Sequence, residues 1–362
     1  MDKEKFFHIN EYVNNFERKK DIQSMLIIES TIVKPIISFV IPTFNRPDTL
    51  TEAIESVLKQ NSSVLEYELI ILDNSGNHSS DNPTLNVVKQ YKEPHLSYYQ
   101  NSENLGFEGN FNRGIELARG EWIAFLHDDD LVTDDYLEKI KNLLDKYDKS
   151  KDIGYIKTET IVFSDQIDLE NKKKDLLNIS GMSRILWGKL KRIRKIDSLI
   201  LGYSPTCIPS CGTLMRKVAM IDIGGFNPDY YPSFDAYPGY QMIGKYKVYQ
   251  TYEPLGYYRW SVNISLKKNT ILGFLEANYY FRQFLYKENL LFRFYGKIFG
   301  EAYYSKNVDD WKQKASQQGV DISDGDIARI HSYKKCSFRK KIVTKIQIIF
   351  NKVNKLVSVV CQ

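Results

Sequence analysis

The 362-residue sequence contains only four cysteines, at positions 207, 211, 336 and 361. So few in so long a chain exclude a disulfide scaffold, and Cys207 and Cys211 stand four apart with no second pair at zinc spacing. Long apolar runs are missing as well. No window approaches eighteen uninterrupted apolar residues, and the charged start Met1-Asp-Lys-Glu-Lys-Phe-Phe-His lacks the apolar core of a signal peptide. The expectation is a cytoplasmic protein, peripheral on the inner face of a membrane at most. No G-x-G-x-x-G follows the first expected strand and no G-x-x-x-x-G-K-[ST] occurs anywhere, so neither a dinucleotide Rossmann fingerprint nor a P-loop is present. An excess of charge of one sign is also small: 50 Lys+Arg against 45 Asp+Glu give +5. Residues 171–196 and 327–362 nevertheless carry +17 between them and leave −12 to the remainder. That balance argues against nucleic acid as a partner, and an anionic partner would be met locally.

What is present suits a soluble globular chain of one large domain or two, with 43% hydrophobic and 26% charged residues. A polar prefix to about Val33 is expected to be helical. Ile36–Ile41 is then a short apolar run stopped by Pro42, as in a strand buried on both faces. Asp48–Gln60 places Leu50, Ala53, Ile54, Val57 and Leu58 on one helical face. The alternation repeats, with strands at Tyr67–Leu72, Leu96–Tyr99 and Trp122–Leu126 and helices near Leu85–Tyr91, Asn110–Ala118 and Asp134–Tyr147. Strand and helix in turn predict an α/β fold with a mainly parallel sheet flanked by helices. In such sheets ligands bind beyond the carboxyl ends of the strands. The polar segments Thr43-Phe-Asn-Arg46, Asp73-Asn-Ser-Gly76 and His127-Asp-Asp-Asp130 fall at those ends.

Asp128-Asp129-Asp130 concentrates negative charge at the end of a buried strand, where repulsion is costly unless a cation is bound. Hard carboxylate oxygens suit Mg²⁺ or Mn²⁺. Helix capping accounts for Asp134 and Asp135, and for Asp130 at most, so Asp129 is the leading metal ligand. His127 is either a further ligand or a packing residue. The segment Asn104–Gly114, with three glycines and three asparagines, reads equally as a functional loop or as an ordinary glycine-rich turn into a helix.

The series Ile37-Ser-Phe-Val-Ile-Pro-Thr-Phe-Asn-Arg46, Glu68-Leu-Ile-Ile-Leu-Asp-Asn-Ser75, Asn104-Leu-Gly106, Gly120–Asp130 and Gly224-Gly-Phe226 resembles glycosyltransferase family 2, inverting enzymes of GT-A fold. The resemblance spans about residues 36–265. It implies an N-terminal prefix (1–35), a catalytic domain with a nucleotide-sugar half (36–132) and an acceptor half (133–265), and a helical basic extension (266–362). By resemblance, Pro42, Thr43, Asn45 and Asn104 line the nucleotide-sugar pocket, Asp73 binds the base, Asp128 lies near the ribose and Asp129 ligates the metal. The family's catalytic base matches Asp235, here preceded by Phe234 where a Glu is usual; Asp229, in a Pro-Asp-Tyr turn, is its rival. Phe111 stands where an Arg is frequent. Arg259, in Tyr258-Arg-Trp260, would meet diphosphate or acceptor, or else form an ordinary ion pair. The implied reaction is metal-dependent transfer from a nucleoside-diphosphate sugar, with UDP favoured, to a saccharide or lipid-linked saccharide of a surface glycan. A non-catalytic binding or scaffold protein on the same fold is the alternative, and a nucleotidyltransferase is disfavoured because Pro42–Pro47 is not a basic glycine-rich loop.

Nine tyrosines between Asp229 and Tyr258 suit a saccharide acceptor, or simply packing in a tyrosine-rich chain. In the tail, Ile342, Ile346, Ile349, Val353, Leu356 and Val360 form a helical stripe flanked by Lys341, Lys345, Lys352 and Lys355. That stripe would lie on an anionic membrane surface, on its own domain, or on the partner of a homodimer.

Overall fold

The structure is a computed structural model that describes residues 8–163, 193–196, 211–259, 267–288, 290–317, 319–331 and 339–346. Its centre is set by three strands, β2 (Ile37–Thr43), β3 (Tyr67–Asp73) and β5 (Trp122–Phe125), buried almost throughout. Their alternate side chains feed two different cores, as a period of two requires. Ile37, Phe39 and Ile41 face Leu50, Ile54 and Val57 of α1 (Pro47–Leu58) and Leu137 and Ile140 of α4 (Tyr136–Tyr147), a cluster that Leu85 of α2 (Pro83–Val88) also joins. Val40 and Ile70 face Phe111 and Ile115 of α3 (Phe107–Leu117) on the other side. Together with β4 (Leu96–Asn101) the strands run parallel in the order 4-3-2-5. The strand and helix alternation expected from residue 36 to 147 is therefore observed.

The prefix differs from expectation. Phe16–Lys19 make one 3₁₀ turn and Ser24–Ile28 form a strand, β1, antiparallel to β4. The cause is tertiary: β4 would otherwise present an unpaired edge, and the short apolar run Met25-Leu-Ile-Ile28 supplies the missing backbone partners.

Beyond β5 the sheet becomes mixed. β9 (Leu214–Arg216) is antiparallel to both β5 and β7 (Ile153–Phe163), β10 (Lys247–Arg259) is parallel to β7, and β6 (Leu131–Val132) and β8 (Ile193–Ile196) pair antiparallel with β10. α5 (Lys217–Asp222) follows β9 directly. Three further helices, α6 (Lys268–Glu288), α7 (Leu290–Ser316) and α8 (Asp324–Ile330), enclose a satellite core of Ile271, Leu275, Tyr304, Val308 and Ile327.

Residues 339–346 are helical, and Val343 is fully buried against Ala302 and Tyr303 while Lys340 pairs with Asp309. The first two turns of the basic tail therefore lie on α7 of their own chain. The stripe from Ile349 onward lies outside the described residues, as do the basic stretch 171–192 and the 260–266 segment. Among the described residues no helix is long and apolar enough to cross a membrane.

Candidate active site

The chain leaves β2 at Thr43 and turns at Asn45, which adopts a left-handed conformation (φ 53°) that asparagine tolerates. The turn sends Arg46 back over the end of β5. Its guanidinium bridges two carboxylates, Asp128 Oδ1 at 3.0 Å and Asp129 Oδ2 at 2.6 Å, while Thr43 Oγ1 donates to Asp128 Oδ2 at 2.9 Å. Thr43 and the three aspartates are buried, Pro42 is half-buried, and Asn45 is exposed. Burial pushes the Asp128 carboxyl up to about 6 despite Arg46 and Thr43, and it pushes Asp130 well above the carboxylate range, helped by the charge of Asp129.

Arg259 supports this run from behind. It is 5% exposed, with its backbone N–H on Asp130 Oδ1 (2.9 Å), Nε on the Asp129 carbonyl (2.9 Å), Nη2 on Glu52 (2.7 Å), and its guanidinium 4.6 Å from the Phe163 ring centre. The ion pair weighed from sequence is observed, to Glu52, and the remaining contacts use Arg259 to position the aspartates.

Carboxylate oxygens of Asp129 and Asp130 and a ring nitrogen of His127 lie within 4.8 Å of one another. Three buried carboxylates answered at the rim by one guanidinium, with hard oxygen donors converging, fit a divalent cation of the Mg²⁺ or Mn²⁺ type.

Asp73, at the end of β3, is fully buried. Its Oδ1 accepts from the Ser75 N–H at 2.9 Å, and its Oδ2 from Asn82 Nδ2 and Tyr98 OH, each at 2.8 Å. These bonds engage both carboxylate oxygens, so Asp73 anchors the loop 74–82. Asn74 ties this loop to the next, with Nδ2 donating to Asn104 Oδ1 (2.9 Å) and the Gly106 carbonyl (3.1 Å), and Oδ1 accepting from the Leu105 N–H (2.8 Å). Asn104 also accepts from the Gly106 N–H, which shapes the turn into α3.

The Gly-Gly-Phe element is built as a joint. Gly224 and Gly225 have φ of 81° and 75°, and a Cβ on Gly225 would lie 2.5 Å from Asn112 Oδ1. Asn112 of α3 takes the Phe226 N–H at 2.7 Å and gives a hydrogen bond to its carbonyl at 2.8 Å. Phe226 and Phe111 each pack on Phe234 with ring centres 5.6 Å apart. Phe111, standing where the family often has Arg, thus belongs to the aromatic cluster that fixes Phe234 and with it the adjacent Asp235. Burial raises the Asp235 carboxyl to about 7, against opposing hydrogen bonds from its own and the Ala236 backbone. Asp229 instead faces Arg18, at 2.8 Å and 3.3 Å. We expect Asn112→Ala to destabilise the protein by about 2–4 kcal/mol, because it strands two buried backbone groups of Phe226. Urea unfolding measures this, and a change under 0.5 kcal/mol, roughly the scatter of neutral surface substitutions, would contradict the joint.

Sequence reasoning missed Arg46, Asn82 and Asn112 as individual residues of the site. Arg46 lay inside a quoted motif, and its place at a strand end was the available signal. Most tyrosines of 229–258 prove to be packing. Tyr230, Tyr237 and Tyr257 are buried, Tyr240, Tyr246, Tyr249 and Tyr258 are half-buried, and Tyr231 is 46% exposed.

With that geometry in view, the chain can be compared with known proteins. The model of the family described as "Glycosyl transferase family 2" matches residues 38–223, about half of the chain. The chain belongs to this family. It is 39% identical over 108 residues to the poly(ribitol-phosphate) β-N-acetylglucosaminyltransferase TarP of Staphylococcus aureus, covering 29% of this chain and 32% of that protein. To the abequosyltransferase RfbV of Salmonella typhimurium it is 33% identical over 110 residues, 30% of this chain and 33% of that one. The mannosyltransferase PcManGT of Pyrobaculum calidifontis, solved with GDP-Man and Mn²⁺, aligns over 99% of this chain and 95% of its own at 12% identity and a TM-score of 0.48. The chain spans about a third of the length of the two relatives matched by sequence.

Proposed function

We propose that this protein moves one sugar, with inversion, from a nucleoside-diphosphate sugar, UDP favoured, to a saccharide acceptor of a surface glycan, lipid-linked in its growing form. The observation that carries this reading is one arrangement: Thr43 and Arg46 at the end of β2 bridge the buried acidic end of β5, while Asp235, its carboxyl raised to about 7, follows the Phe234 ring that packs on the Gly-Gly-Phe joint. Family membership and the transferases named above support it.

In this reading Asp129 holds the divalent cation, with Asp130 and His127 in reach. When bound, the cation stabilises the negative charge of the departing diphosphate. Thr43 and Asp128 face the nucleotide side of the rim, and Asn45 and Asn104 shape it. Arg46 clamps Asp128 and Asp129 while the donor is absent; as donor and cation enter it releases Asp129 and turns to phosphate, a bidentate partner that guanidinium suits. Asp235 takes the proton from the acceptor hydroxyl as that oxygen attacks the anomeric carbon. Attack from the face opposite the leaving diphosphate inverts the centre. The bases of the tail after residue 346 support a place at an anionic membrane surface.

The test is a panel of UDP-, GDP- and dTDP-sugars, with and without Mn²⁺, read by calorimetry. One donor is expected to bind at least about tenfold more tightly with the metal, worth about 1.4 kcal/mol. Equal, metal-independent affinity across the panel would overturn the reading.

A further inference from the structure

A cavity of about 460 Å³ opens beside the loop that carries Asp235. Tyr231 and Pro232 form one wall; Lys267, Lys268, Asn269 and Thr270, at the start of α6, form the other. We propose that this cavity is a phosphate site, one that takes a phosphodiester or diphosphate group of the acceptor and so holds the acceptor against Asp235. The proposal rests on the reading of the Asp235 loop as the acceptor side.

Three features converge on an anion. First, α6 is 21 residues long, and the Ile271 N–H bonds to the Lys267 carbonyl at 3.0 Å. The N–H groups of Lys268, Asn269 and Thr270 come before that bond and have no helical acceptor, which is where anions bind helix ends. Second, the lining contains no carboxylate and two ammonium groups. Lys268 is paired with Asp326 at 2.7 Å, and Lys267 is exposed with no ion pair among the described residues. Third, Thr270 is 7% exposed, lines the cavity, and its hydroxyl has no hydrogen-bond partner among the described residues. With most of the residue buried and its hydroxyl lining the cavity, Thr270 can donate to an anion held there.

The cavity is also fixed to the catalytic loop. A Cβ on Gly273 would lie 2.5 Å from Pro232 Cδ, so α6 and the loop touch where only glycine permits it. Pro232 is three residues before Asp235, and the exposed Tyr231 ring at the mouth offers a face for a sugar or polyol next to the phosphate.

The experiment follows ³¹P line broadening of two probes mixed with the full-length protein, with UDP and Mg²⁺ at saturation so that the donor pocket is filled. Glycerophosphoglycerol represents a phosphodiester-linked polymer and geranyl diphosphate a lipid-linked acceptor. Broadening of either probe is expected, and the stronger of the two identifies the source of the phosphate. Lys267→Glu should weaken binding by about tenfold and Thr270→Val by about fivefold, the scale of one charge contact and one hydrogen bond. Equal broadening by wild type and both variants would overturn the proposal, as would broadening seen only when UDP is left out. Calorimetric UDP titrations of the same three proteins test the donor reading separately and should give one affinity.

Discussion

Replacing Asp129 by alanine is expected to lower sugar transfer by about 10³-fold and to remove the metal dependence of nucleotide binding, since a cation at the leaving diphosphate supplies several kcal/mol. Asp129 is the carboxylate best placed for the purpose. It stands at the end of β5, shares a 4.8 Å neighbourhood with Asp130 and His127, and its carboxylate is held at the rim by the partly exposed Arg46. Arg46 predicts a second signature. With its partner gone it is left beside Asp128 alone, so metal-free UDP binding should persist or strengthen in the variant even as turnover is lost. Circular dichroism and urea unfolding guard against a folding defect, and Asp129→Asn, nearly isosteric, should reproduce the loss. Turnover within about threefold of wild type, a difference of less than 1 kcal/mol, would sink the assignment.

The second large effect belongs to Asp235. Asp235→Asn should reduce kcat by about 10²–10⁴-fold, the range of a lost general base, with donor affinity unchanged. Asp229→Asn should stay within a few-fold, because that carboxylate faces Arg18. The pH dependence distinguishes the two further. The base acts when deprotonated, so kcat/KM of the wild type should climb as pH rises through about 7, and the Asn variant should lose that limb. Stability moves the other way. The folded state holds the Asp235 proton more tightly than the unfolded chain does, so its contribution is complete below the ordinary carboxylate value and is lost as pH rises through about 7. Asp235→Asn should therefore unfold at higher urea than wild type at pH 8, with the difference shrinking as pH falls toward the ordinary carboxylate value. An unchanged pH–rate profile in the Asn variant would dismiss Asp235 as the base.

The legible part of the fold was the part written in local periodicity. Ile37–Ile41, Leu69–Leu72 and Trp122–Leu126 are apolar on both faces, and α1 shows its stripe plainly, so the parallel block could be read directly. β1 could not, because Ser24–Ile28 is a strand on account of the edge of β4, some seventy residues away. The same limit applies within the site. Residue type marked Asp128 and Asp129, but the partners of a buried polar group are set by the fold: Asp73 is held by Asn82 and Tyr98. Arg259 is likewise turned inward by partners from three different elements. Phe234 looked like a defect beside Asp235 and proves to be its anchor, a role created by rings at 111 and 226 that no local pattern announces.

The bond between Asn15 and the Gly224 carbonyl spans 209 residues of sequence. During synthesis the segment around Asn15 leaves the ribosome early, and its acceptor is not yet made until most of the chain has followed. β1 faces a shorter delay, since β4 emerges within about a hundred residues of the start. The two ends of this one segment are thus completed at different times: the strand can zip onto the parallel block co-translationally, while the turn at Asn15 closes only once the Gly-Gly-Phe joint exists. Pulse labelling of nascent chains should therefore find β1 protected before the turn at Asn15.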